Sequence, residues 1–207
     1  MLVYKATDAD MSCHMGQGKF QYELGVPATA EASKCASTGL HACEYIIDCL
    51  RYYPLDTDHR YFCAEAEGDI AEDGKDTRIA CTKLTLTREL DHADIAREAM
   101  KFMIRHPRRS GWEYNSRDGV KIAKDRAASD AVTGIAIARG ENPRVMGGVG
   151  TYIGLLKEEA GQIVQAKLFH IMGADDVIKP GKWYTIDDML QAFAMAAAEQ
   201  EGGTHEA

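Results

Sequence analysis

The sequence predicts an α+β fold: a mainly antiparallel sheet head with one principal helix, then a helix, a short β-solenoid-like and hairpin part, and a C-terminal helix. Three observations predict it. Residues 60–67 and 78–87 alternate apolar and polar side chains with the period of a strand. The stretch 39–53 changes from a strand ending at His41 to Cys43 into apolar residues at helical spacing. Beyond Ala127 small residues alternate with β-branched ones, and Gly147, Gly148, Gly150 and Gly154 follow.

Taken in order, residues 2–6 form a first strand, and 19–24 alternate in the same period until Gly25 and Pro27 stop them. In the helix after Cys43, the residues Ile46, Ile47, Leu50 and Tyr53 recur on one face and predict its buried side. Glu44, Asp48 and Arg51 fall on the opposite face and are expected in solvent, and Pro54 ends the helix. The acidic, glycine-containing segment between residues 67 and 78 reads as a hairpin connection. Residues 91–105 read as a helix capped by Asp91, with an apolar stripe of Ile95, Ala99, Phe102 and Met103 and a stop at Pro107. Residues 152–156 and 162–170 read as a hairpin turning through 158–161. Thr185 and Asp188 make a capping-box-like start for the last helix, whose buried face is expected at Met189, Leu190, Phe193 and Ala197, before Gly202 and Gly203 end the ordered part. The organisation is therefore a head at 1–90, a helix and basic connector at 91–126, a glycine-rich β part at 127–185, and a helix with a tail at 186–207.

With 207 residues and 45% hydrophobic content, the chain can bury a sizeable core, and its net charge of −8 argues against general binding to nucleic acid or anionic membranes. Positive charge gathers locally, and Arg108, Arg109, Trp112 and Tyr114 are candidate interaction residues whose rings would stack on bases. A connector that packs its own aromatics is the preferred reading of the same residues. No window approaches the ~20 apolar residues of a membrane span, and the opening lacks the apolar run of a signal peptide. The expectation is a cytoplasmic protein whose six cysteines, all in the first half, are reduced thiols.

Two chemistries present themselves around His41. Thiolates and imidazoles at Cys13, His14, Cys35, His41 and Cys43 suit tetrahedral zinc, but they lack the paired Cys-x-x-Cys spacing, and core cysteines are the preferred reading. His41 and Cys43 lie two apart on a strand, hence on one face, where an imidazole would activate a thiol nucleophile, but no orienting group accompanies them and a satisfied strand-end histidine is the preferred reading. The later glycines form no phosphate loop, since no Gly-Lys-Ser or Gly-Lys-Thr accompanies them.

The order of strand 3–7, the glycine-led strand with His41 and Cys43, the helix, and then Arg60, Tyr61 and Phe62 resembles the layout of small ADP-ribosyltransferases of the rifampicin-modifying kind. That resemblance implies an NAD or other nucleotide pocket, with Lys5 at the first-strand position, His41 or Tyr45 at the second and Asp76 at the late acidic one. Lys5 stands where that family has His or Arg. Together with Cys43, these are the candidate ligand-binding residues.

The motif Gly39-Leu-His-Ala-Cys-Glu44, the following Arg60-Tyr-Phe62 and the closing Ile178-Lys-Pro-Gly-Lys-Trp-Tyr-Thr185 are similar to those of an uncharacterised family from phages and gut bacteria. Its members carry solenoid-like repeats between the two ends. The resemblance implies a phage-type accessory protein, virion-associated or host-directed. It also implies assembly into a homo-oligomer and a host or phage protein as partner, with the region of Gly134 to Gly154 among the association surfaces.

Overall fold

The computed structural model describes residues 1–14 and 18–202; the tail beyond them, where the ordered part is expected to end, lies outside the described residues. In chain order the elements are β1 (Leu2–Asp8), β2 (Ser12–His14), β3 (Lys19–Gln21), β4 (Pro27–Thr29), β5 (Leu40–Cys43), α1 (Ile46–Cys49), β6 (His59–Glu72), β7 (Arg78–Leu90), α2 (His92–Arg105), β8 (Tyr114–Asn115), β9 (Val120–Ser129), β10 (Ile135–Gly147), β11 (Tyr152–Glu159), β12 (Gln162–His170) and α3 (Ile186–Gly202). The α+β class holds. The chain divides into two compact units, Met1–Ala99 and Met100–Ala207, with the division inside α2.

In the first unit every strand pairing is antiparallel. β1 lies between β5 and β6, while β7 pairs with β4, β5 and β6, so that β1, β5, β7 and β6 close a ring. Cys81 of β7 pairs with Leu40 on one side and Ile70 on the other. The long β6–β7 hairpin can serve both edges because its register slips between Cys63 and Ala64 and again between Glu67 and Ile70. At the second slip Gly68 has φ +77°, and a Cβ there would collide with Thr82 Oγ1. Such irregularities bend a hairpin and increase its twist. The core inside the unit gathers Val3, Leu40, Phe62, Ile79, Leu84 and Leu86 from four strands, β1, β5, β6 and β7, which explains the alternation read in the sequence.

The principal helix differs from the expectation. α1 is one turn, Ile46–Cys49, and Asp48, expected in solvent, is only 2% exposed. Its side chain bonds to Thr77, and this tertiary partner overrides the amphipathic pattern. α2 carries the expected stripe, since Ile95, Ala99, Phe102 and Met103 are all buried. Within the first unit Tyr4 of β1 donates its hydroxyl to the buried Glu98 of α2 at 2.8 Å.

The second unit holds one sheet in the order β12-β11-β10-β9-β8. Its three central strands are parallel, and the two edge strands pair antiparallel. Ile135 lies beside Val120 and Tyr152 beside Ile135, offsets of 15 and 17 residues. The links at 130–134 and 148–151 are far shorter than the crossover that ordinarily joins parallel strands. Segment 120–129, expected in part as connector, is strand β9. The hairpin β11–β12 and the capping box are as expected: Asp188 accepts the Thr185 N–H at 2.8 Å, and Thr185 Oγ1 accepts the Asp188 N–H at 3.1 Å. In α3, Met189 is buried, but Leu190 and Phe193, expected inside, are 42% and 39% exposed. Gly134, Gly147 and Gly154 are buried within the unit, where side chains would collide with Ser129, Ile153 and Met100 respectively.

Candidate ligand cleft

In the first unit β1 and β5 share a single register pair, Tyr4 with Cys43, and beyond it the two strands part. A cleft of about 400 Å³ opens there. Its lining includes Lys5 and Ala6 of β1, His41 and Cys43 of β5, Cys13 and His14 of β2, Tyr52 and Tyr53 after α1, and Arg78 at the start of β7. Three of the five residues singled out in the sequence thus meet in one cleft.

Lys5 is only 6% exposed. Its Nζ lies 5.4 Å from the centre of the Tyr22 ring and 5.9 Å from that of Tyr53, and among the described residues no carboxylate pairs with it. Aromatic faces carry negative quadrupole and tolerate a cation, but they do not replace a counter-charge. Arg78 stacks its guanidinium 5.2 Å from the Tyr52 ring and binds Asp73 at 2.6 Å, while its buried Nε is without a partner. The two cations thus bring to the cleft two donors, Lys5 Nζ and Arg78 Nε, that no acceptor among the described residues takes up.

His41 is neutral and occupied. Its Nε2 accepts the Ala36 N–H at 3.1 Å, and burial first, then the charges of Lys5 and Arg78, hold its pKa below the ordinary imidazole value. The Cys43 thiol is pushed far above the ordinary range by its hydrogen bond with Cys49 and by burial. A neutral imidazole engaged with backbone beside a thiol that resists ionisation is a histidine satisfied at the strand end, not a base for a Cys43 nucleophile. Burial also pushes the Tyr53 phenol up to about 12, which keeps it a hydrogen-bonding hydroxyl.

The other two residues fall outside the lining. Tyr45 is 1% exposed in the core, where its N–H donates to Thr77 Oγ1 at 2.9 Å. Asp76 sits behind the cleft wall, accepting the Tyr52 hydroxyl at 2.6 Å and the Arg78 N–H at 2.8 Å. As for zinc, Cys13, His14, His41 and Cys43 all border the cleft, yet Cys35 turns its thiol to the Arg78 carbonyl at 3.5 Å. Among the described residues no three His, Cys, Asp or Glu side chains converge as metal ligands. All six cysteines are free.

Sequence reasoning missed Tyr52, Tyr53 and Arg78 as cleft residues. The repeated tyrosine before Pro54 was the available signal, but it was absorbed into the expected helix face. In the second unit, the interaction candidates are engaged within the fold. Arg109 lies 5.6 Å from the Phe102 ring, Tyr114 belongs to β8, and the half-buried Trp112 carries the guanidinium of Arg139 at 5.0 Å. That contact fits the reading of a connector that packs its own aromatics, and Arg108 stays exposed.

Residues 1–98 match a family model described as a domain of unknown function (DUF7666). No curated protein and no solved structure matches the chain. Among the described residues no helix is long and apolar enough to cross a membrane.

Proposed function

We propose that the first unit binds a small anionic ligand carrying a planar ring, the chemistry of a nucleotide such as NAD, and holds it without a covalent step on Cys43. The observation that supports this reading is Lys5, a nearly buried cation with no carboxylate partner among the described residues, facing a cleft. An anionic group supplies the missing counter-charge, the Arg78 Nε–H and the Tyr53 hydroxyl offer donors, and the rings of Tyr52 and Tyr53 offer apolar surface for a base or nicotinamide. The cleft volume falls at the low end of the usual range for small-molecule sites, about 300–1,000 Å³. An ADP-ribosyltransferase-like use of the same cleft has Lys5 and His41 in place, but its late acid, Asp76, is committed to Tyr52 and the Arg78 backbone. Binding is therefore favoured over transfer.

Calorimetric titration of NAD, ADP-ribose and AMP into the full chain tests the reading, with Lys5→Met as the comparison. Saturable heat that disappears in Lys5→Met supports it. The absence of heat from all three, or heat that survives in Lys5→Met, overturns it.

A second reading concerns the other unit and a phage-type accessory role. The apolar residues Leu190, Phe193 and Met195 of α3 are exposed, and such a patch favours covering by a second copy of the chain in a homo-oligomer. The short parallel links support viewing β9 to β11 as turns of a solenoid-like coil. Light-scattering mass in solution tests the association, with Phe193→Glu expected to reduce an oligomer to monomer.

A further inference from the structure

The parallel register of β9 and β10 sets Arg126 directly beside Arg144. Both are exposed, and among the described residues neither forms an ion pair. Like charges placed opposite each other on neighbouring strands destabilise a sheet. A bridge between Val145 and Tyr184 brings the closing motif alongside the same segment of β10. It carries Trp183 to a ring centre 5.2 Å from the Arg126 guanidinium and leaves Lys182 exposed next to it. Asp188 is the neighbouring acid. One of its oxygens is taken by the Thr185 N–H and hydroxyl at the start of α3, and its carboxyl is held down by those bonds first and by Lys182 and Arg144 after them.

Two arginines and an indole, from residues 126, 144 and 183, thus share one face in a protein of net charge −8, while the neighbouring Lys182 holds its ammonium 5.1 Å from the centre of the Tyr184 ring. Strands in a sheet lie about 4.8 Å apart, so the two guanidinium forks can close on one small group. A carboxylate fills a single fork. A phosphate presents three oxygens, enough to engage both forks at once, and an aromatic or heterocyclic substituent on it would lie against Trp183. We infer that this face is a binding site for a phosphate monoester with a planar organic group, separate from the cleft of the first unit.

Trp183 is one of two tryptophans, so a Trp112→Phe variant of the full chain makes it the sole indole reporter. The probe is phenyl phosphate, with inorganic phosphate and potassium chloride at matched ionic strength as comparisons. A saturable fluorescence change is expected with phenyl phosphate, weaker binding with inorganic phosphate, and no saturation with chloride. Arg144→Ala and Arg126→Ala should each weaken phenyl phosphate binding at least about tenfold, the scale of a lost charge-assisted fork. The same substitutions should keep or raise the melting temperature, because each relieves the repulsion; a merely structural pair would lower it. Lys5→Met should leave the response unchanged, which separates this site from the cleft. Calorimetry on the Lys5→Met chain, whose cleft has lost its cation, repeats the measurement if Trp112→Phe folds poorly. Chloride-like behaviour of phenyl phosphate, or affinity that survives both arginine substitutions, would overturn the inference.

Discussion

The buried carboxylate of Asp48 accepts both the backbone N–H of Thr77, at 3.0 Å, and its hydroxyl, at 2.7 Å. A third partner, Arg51, reaches the other carboxylate oxygen at 2.9 Å. This knot ties α1 to the turn before β7, and so fixes Tyr52 and Tyr53, which follow α1, relative to Arg78, which opens β7. Truncation by Asp48→Ala leaves two buried donors unsatisfied and should destabilise the first unit by about 3 kcal/mol. Urea unfolding monitored by circular dichroism measures it, and a loss below about 1 kcal/mol would mean that water replaces the carboxylate.

Lys5→Met should behave in the opposite way. The side chain keeps its volume and apolar stem while an unpaired cation is removed, so stability should stay level or rise by up to about 1 kcal/mol. A marked fall in melting temperature would show that the amine is satisfied within the fold, and that the cleft awaits no anion.

Gly39 precedes β5 with φ +95°, and a Cβ would sit 3.0 Å from the Ala32 carbonyl oxygen and 3.1 Å from that of Cys81. Backbone atoms cannot step aside, so Gly39→Ala should cost more than about 2 kcal/mol and disturb His41 and Cys43 next to it. Denaturant melts measure the cost, and a wild-type midpoint would contradict this account of the motif's glycine.

His41 and His92 are both held below the ordinary imidazole value by burial, so the folded first unit takes up fewer protons than the unfolded chain as pH falls past about 6.5. Their contribution is intact above that pH and is lost progressively below it. Thermal melts between pH 7.5 and 5.5 should show falling stability, with a shallower slope in His41→Gln. An unchanged slope would assign the dependence to His92 or elsewhere.

The raised Cys43 thiol should resist alkylation. Iodoacetamide at pH 8 followed by mass spectrometry should modify Cys43 only after unfolding, whereas rapid labelling in the native protein would reopen a nucleophilic role.

Local pattern made much of this protein legible. Period-two alternation located β6, β7, β11 and β12, and helical spacing located α2 and α3, because which face of an element is buried is written into every second or every third to fourth residue. Thr185 and Asp188 announced the start of α3 for the same local reason, since a capping box closes within four residues. His41 and Cys43 were grouped by their two-residue spacing on one strand, and Lys5 joined them only through the resemblance of the layout to small ADP-ribosyltransferases. What no local pattern carries is pairing across long separations. That β1 and β5 part after Tyr4 and Cys43, that Asp48 turns inward to Thr77, that Tyr45 belongs to the core, and that Arg126 meets Arg144 and Trp183 all depend on sheet register and on partners 18 to 57 residues away. By itself the sequence determined the α+β class and which residues are apolar enough to bury. Only the tertiary structure decided where charge is left without a counter-charge, because that is a property of neighbours in space.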